Sequence, residues 1–421
     1  MGGLSARVTG LNFYLGSTIL TAGALGLSVQ AQEASPDDTW ALEEVIVTAQ
    51  RREESLNKVP IAVTAFSGDM LEKTSVTELT DIAGLTPGLY LSSYSTLSPQ
   101  IFIRGIGSND DGITAEGAVG VYLDDIYVGR ASSALFDLFD LERLEVLKGP
   151  QGTLYGRNTN GGAINIITRK PDNETTGAFK ATYGNYDALQ LQGFVSAPFI
   201  EDRLYGKVSV SLKKRDGWTT DSISGNKVND EDSLSLRGQL RFTPTDMLDA
   251  IVSMDYSRDR TTSSYKEVVF GSFFGFAPAE SPDRFEGAYD LPDAKTDRNI
   301  LGLSAKVTLD TDAVIYTSIT GYRTMDLEYT EDYDSTPLPL VGLETTQDTK
   351  QFTQELRAAS NTDSPLQWIA GLFYLHDTGE AFDLIDLGEL YVGFPDEVTN
   401  SDTLTNSYAA FGEASYRLSD K

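Results

Sequence analysis

Cysteine is absent from the 421 residues, and histidine occurs once, as His376. The first absence excludes disulfides, thiolate metal sites and cysteine nucleophiles. The second would confine any Ser-His-Asp triad or histidine zinc centre to one place. There His376 sits among Phe373, Tyr374 and Leu375 in a strand-like run, where a structural role is expected. Basic charge is scarce: 33 Lys and Arg against 62 Asp and Glu give a net charge of -29. That balance argues against a nucleic-acid partner and for a solvated surface or a polar lumen. Long apolar runs are scarce too. One, from Leu11 to Val29, follows the single charge of Arg7 and ends at Val29-Gln30-Ala31, so residues 1–31 are expected to be a secretory signal peptide. No second run has spanning length, so a membrane could be crossed only by strands.

Glycine is plentiful in one stretch. "LKGPQGTLYGRNTNGGAINIITRKP", Leu147 to Pro171, has the density of a phosphate cradle. A P-loop needs Lys-Ser/Thr after its last glycine, and a dinucleotide turn needs GxGxxG opening a helix. Here Arg157 and Asn158 follow Gly156, and a β-branched run, Ile164 to Thr168, follows Gly162. Tight turns between close strands are the expected role.

The chain divides into three further parts. Residues 32–50 begin with a polar leader and end in the extended run Glu44 to Ala49, which reads as an isolated strand able to complete another protein's sheet. Residues 51–172 are a compact α+β region. Asp69 is expected to cap a short turn from Met70 to Lys73, and Thr77 to Leu85 is helical in spacing. Strand-like pieces then alternate with glycine turns at 100–108, 120–129, 141–149 and 163–169. From 173 to 421 apolar and polar residues alternate. In "RLYGKVSVSLKKR", Leu204, Val208, Val210 and Leu212 share one face, and Tyr205, Lys207, Ser209, Ser211 and Lys213 the other. About ten such segments are expected, each near the length of a tilted membrane strand. Short connections (198–202, 243–246, 310–312, 361–365) alternate with long ones (216–231, 259–297, 329–348, 379–404). That asymmetry predicts a transmembrane antiparallel β-barrel of the outer-membrane type, with an N-terminal α+β domain, and not a β-sandwich.

These residues resemble the TonB-dependent receptors of the bacterial outer membrane. "EEVIVTA" resembles the TonB box, "IRGIGS" and "VGVYLDDIYVGR" the plug's central strands, and "LERLEVLKGPQGTLYGRNTNGGAINIITRKP" the plug's closing signature. The resemblance implies a plug at 51–172 inside a barrel whose family size is about 22 strands. Only about ten are found here, in 173–421, and "YRLSDK" lacks the family's terminal aromatic residue. The chain is therefore expected to be a fragment, or a truncated product unable to transport.

The implied function is TonB-dependent uptake of a scarce nutrient. A ferric siderophore is the commonest cargo, with a saccharide or cobalamin-like ligand as alternatives, or a non-transporting surface receptor. The implied partners are TonB, outer-membrane lipid and the small ligand. No catalytic constellation, cofactor or metal centre is expected. Glu44, Val45, Ile46, Val47, Thr48 and Ala49 would bind TonB by β-augmentation. Arg104 and Arg157 on the plug would meet Glu355 and Glu413 on the lumen wall. Tyr265, Phe270, Phe273, Phe274 and Phe276 are candidate ligand contacts.

Overall fold

The structure is a computed structural model that describes residues 2–8, 46–52, 54–74, 76–92, 99–110, 112–134, 137–263, 285–291, 294–362, 364–388 and 395–418. Residues 54–168 build an α+β unit around one mixed sheet. Its strands are Ala62–Ser67 (β1), Val119–Leu123 (β2), Ile126–Val128 (β3), Leu141–Lys148 (β4) and Gly162–Thr168 (β5), in the order β1-β4-β5-β2-β3. β5 and β2 are parallel, and the other pairs are antiparallel. β2 and β3 are buried along their whole length, which suits their Val, Ile, Leu and Tyr content. Leu79, Ile82, Ile103, Leu144, Val146 and Ile164 form the centre of the core, each at most 1% exposed.

The helix Gly68–Lys73 is capped by Ser67, whose side chain accepts from the Met70 N–H; Asp69 lies in the first turn, two places too late to cap. The helical spacing after Thr77 becomes a 3-10 helix, Leu79–Leu85, opened by a reciprocal Glu78–Asp81 box. Gly162 explains the glycine-rich stretch. Its φ is +150°, and a Cβ there would stand 2.1 Å from the Leu147 carbonyl oxygen, so only glycine lets β4 and β5 close up.

Residues 176–416 form ten antiparallel strands in sequence order: Thr176–Tyr183 (β6), Leu189–Ile200 (β7), Leu204–Arg215 (β8), Glu231–Thr245 (β9), Leu248–Thr262 (β10), Lys295–Asp310 (β11), Val314–Asp332 (β12), Gly342–Ser360 (β13), Leu366–Asp386 (β14) and Glu397–Tyr416 (β15). Gly2–Val8, within the expected leader, pairs with β6 on its free side, Gly2 opposite Tyr183. An open edge presents unpaired N–H and C=O groups that accept an extended segment.

The wall inverts the burial of a soluble protein. Lys207 is 4% exposed and its neighbour Val208 57%; Ser209 is 6% exposed and Val210 38%. Leu240, Val252, Met254, Leu356 and Leu372 continue the exposed apolar face across the sheet. Polar residues face the α+β unit inside, and apolar residues face out, as lipid requires. β12 to β15 run for 19 to 21 residues, about twice the span that was expected of them. The register explains the excess. On the outward face Asp326, Asp348, Glu380 and Asp402 stand side by side across the four strands, two rows beyond Tyr322, Phe352 and His376. Lipid ends below that acidic row, and the strands continue past it towards the long loops.

Candidate functional site

The structure brings together residues 46–51 and the tip of the β2–β3 hairpin. Asp124 and Asp125 form that tip with φ of +48° and +73°, the doubly left-handed turn that suits a two-residue hairpin and that aspartate tolerates. Their carboxylates diverge. Asp124 accepts from the Thr168 N–H and hydroxyl, both at 2.8 Å, and pairs with Arg237 on β9. Asp125 accepts from Arg51 at 2.6 Å and from Lys306 on β11 at 2.6 Å, with Arg357 on β13 at 3.4 Å. Burial works to raise the Asp125 pKa, but these three cations together hold it well below the usual carboxylate range.

Arg51 lies over the rings of Tyr155 at 4.1 Å and Tyr122 at 5.0 Å, a desolvated cation–π arrangement. Its Nε donates to the Leu154 carbonyl, and its own N–H to the Thr48 carbonyl at 2.8 Å. Burial works to lower the Arg51 pKa. The acids facing it, Glu355 foremost, outweigh that and leave it above its ordinary value.

The preceding residues are locked as well. Ile46–Val47 pairs with Glu54–Ser55, and Val47 and Ala49 are 0% and 1% exposed. The Thr48 N–H donates to Glu145 at 2.7 Å, and the Tyr155 hydroxyl donates to the Thr48 carbonyl at 3.3 Å. Burial pushes the Tyr155 phenol up to about 12, with Arg51 acting the other way, so it stays a donor. Glu145 is fully buried and is satisfied by Thr48, Arg143 and Asn165. The expectation of an isolated, free-edged strand is thus corrected. The run is hydrophobic enough to bury and has found a buried acceptor for its backbone. Glu44 and Val45 lie outside the described residues.

The contacts between the α+β unit and the wall also differ from the sequence expectation. Arg104 is exposed, with φ of +52°, and makes no ion pair with a described residue. Arg157 pairs with Glu116 of its own domain. Glu413 is on the lumen side of β15 but exposed, opposite Ile369. Of the four, Glu355 alone faces the inner domain. It is buried, pairs with Arg357 at 2.8 Å, and lines a cavity of about 350 Å³ with Arg51, Tyr122, Tyr155, Phe373 and Phe411.

Most of the polar grip has the opposite polarity, with acids inside and bases on the wall. Lys207 meets Asp140 at 2.5 Å with both side chains at most 3% exposed. Lys213 meets Glu78 at 3.2 Å and Asp137 at 3.5 Å. Among the described residues one pair, Arg130 with Asp377, has the expected polarity, beside Gln351 bridging the Gly129 N–H and the Tyr127 carbonyl. Strand parity puts Lys207 and Lys213 together on one face of their strand, but parity gives no partner. "YLDDIY" lies inside the strand-like piece 120–129, and nothing in its pattern marks it as a junction. Tyr265, Phe270, Phe273, Phe274 and Phe276 lie outside the described residues.

A family model for the "TonB-dependent Receptor Plug Domain" matches residues 55–163. Residues 55–163 are thus a TonB-dependent receptor plug domain. The pesticin receptor of Yersinia enterocolitica is 30% identical over 196 residues, 46% of this chain and 28% of the receptor. The vitamin B12 transporter BtuB of Vibrio vulnificus is 35% identical over 148 residues, 33% of this chain and 22% of the transporter. The crystal structure of the ferric yersiniabactin uptake receptor FyuA from Yersinia pestis superposes with a TM-score of 0.73 at 22% identity, covering 86% of this chain and 54% of that one. The chain thus spans about half the length of this solved receptor and shares its plug-and-barrel fold. The α+β unit is the plug, the ten strands are part of an outer-membrane barrel wall, and Ile46–Ala49 is the described part of the TonB-box-like segment.

Proposed function

We propose that this receptor takes up a ferric siderophore across the outer membrane, driven by TonB pulling on the Glu44–Ala49 segment. The observation that carries the reading is the shared carboxylate of Asp125. Arg51, two residues beyond the segment, and the wall cations Lys306 and Arg357 all converge on it. Force on the segment therefore loads a contact that seats the plug in the wall. A partner that adds a strand needs a free edge. In the resting state that edge is occupied by Glu54–Ser55 and by Glu145. Release must precede capture, which keeps the receptor silent until ligand arrives. FyuA is named for the uptake of ferric yersiniabactin, and its likeness to this chain covers the wall as well as the plug, which supports an iron-bearing cargo over a cobalamin-like one.

Ile46→Pro tests the reading, because proline removes a ladder donor from the segment. A deletion strain complemented with this variant should bind radio-iron siderophore normally and lose energised uptake. Unchanged uptake would reject the role of the segment. Normal growth of the deletion strain on every ferric siderophore, with loss of cobalamin uptake, would reject the cargo and keep the mechanism.

A further inference from the structure

The long loops are tied to one another, and one tie is made of acids alone. Thr219–Asp221, in the β8–β9 loop, pairs with Glu286–Gly287 of the β10–β11 loop, and the Tyr289 N–H donates to Asp221 at 3.1 Å. The β10–β11 loop is in turn joined to the β12–β13 connection, where the Asp290 N–H donates to Asp332 Oδ2 at 3.2 Å. Carboxylate oxygens of Asp290, Asp332 and Asp334 lie within 4.8 Å of one another. Asp332 and Asp334 are 4% and 2% exposed, and no described Lys or Arg forms an ion pair with any of the three.

Two like charges at this distance in a buried site repel by several kcal/mol at an effective dielectric of about 20. Asp334 is occupied by the Thr336 and Val341 N–H groups. Asp290 Oδ1 is buried and receives no donor from the described residues. A proton held between Asp290 and Asp332 supplies that donor and removes the repulsion in one step.

We propose that the Asp290–Asp332 pair is a proton-held latch that docks the β10–β11 loop against the β12–β13 connection and opens as pH rises. The titratable groups facing Asp332 are Asp334 and, from the neighbouring loop, Asp290, with Asp386 at the end of β14 facing Asp290; all are acids, and the Ser335 and Asp290 N–H donors to Asp332 oppose them only in part. Asp332 lies six residues beyond the acidic row that bounds the lipid, outside the membrane span. Burial, then Asp334, then the bond to Asp290 push its carboxyl up to about 8. The docked state therefore binds the extra proton. Its advantage is fully present below the ordinary carboxylate pKa and is lost as pH rises to about 8. Acid and neutral pH would thus hold residues 285–291 against the end of β12, and alkaline surroundings would release them.

The latch rests on the extracellular placement of the loops, and the experiment separates the two claims. Nitroxide labels at Ala288→Cys and Leu338→Cys, free of background because the chain lacks cysteine, report the inter-loop distance by pulsed electron resonance in outer-membrane preparations. Reaction of Ala288→Cys with a membrane-impermeant maleimide on intact cells checks the placement alone. The expected result is one short distance at pH 6 that becomes a longer, broader distribution by pH 9. Asp332→Asn, neutral at every pH and still able to donate to Asp290, should keep the short distance throughout. A distribution unchanged between pH 6 and 9 overturns the latch. So does loss of the short distance at pH 6 on adding a chelator, which would mean that a cation and not a proton joins the loops. If the variant fails to assemble, the pH series on the unaltered aspartates decides alone.

Discussion

Asp125 is a single carboxylate shared by three cations that belong to different parts of the molecule: Arg51 beside the TonB-box-like segment, Lys306 on β11 and Arg357 on β13. Removing one partner from such a buried group costs about 3–5 kcal/mol, because the others are left uncompensated. Asp125→Asn should therefore free the segment. Val47→Cys, whose native side chain is 0% exposed, is expected to react with thiol reagents at least tenfold faster in that background. Equal rates would remove Asp125 from the coupling. The pH response has a definite sign. The Asp125 pKa is depressed in the folded state, so its contribution is present above about 3.8 and disappears only as pH falls well below that value. Labelling of Val47→Cys should stay slow from pH 8 down to about 4. At this scale the sequence was least legible. Alternation put Glu355 on the lumen wall and Lys207 and Lys213 on one polar face, but it could not tell that the plug would answer mostly with acids. Two adjacent aspartates in a turn look the same whether water or three cations meet them.

Strands were more legible than residues, because the alternation that defines them is also the physical reason they stand between two solvents. Exposed Val208 between buried Lys207 and Ser209 is the pattern in miniature. Val208→Arg should impair insertion by about 2–4 kcal/mol if it sits near the bilayer midplane. Ser209→Thr, on the lumen face, should leave heat-modifiable migration of the folded barrel unchanged. Equal assembly of the two variants would mean that the exposed apolar face does not meet lipid. Strand ends were harder to read. Beyond the acidic row apolar residues such as Leu327, Tyr329, Phe382 and Leu384 mix with acids on the ends of β12 to β14, so periodicity fades while hydrogen bonding continues, and the strands read shorter than they are. The run Ile46 to Ala49 failed for a different reason. Its β-branched residues specify an extended backbone, but whether its edge is free depends on Glu145, about 100 residues away.

Across the whole molecule, the acidic composition that looked like a solvated surface is also an interior adhesive. Asp124, Asp125, Asp137 and Asp140 of the plug meet Arg237, Lys306, Lys213 and Lys207 of the wall. Charge pairs at a plug boundary are specific in register and can be broken one at a time, which suits a domain that must stay seated and yet be moved. The central claim is that the Ile46–Ala49 segment must leave its resting hairpin for transport to proceed. Ile46 and Ser55 are cross-strand partners in that hairpin, and no native cysteine competes for oxidation. A disulfide between Ile46→Cys and Ser55→Cys would hold the segment in place. Siderophore-dependent iron uptake by cells carrying this double variant should be lost when the bond is oxidised and restored by a reductant, with ligand binding equal in both states. Equal uptake in the oxidised and reduced states would contradict the account.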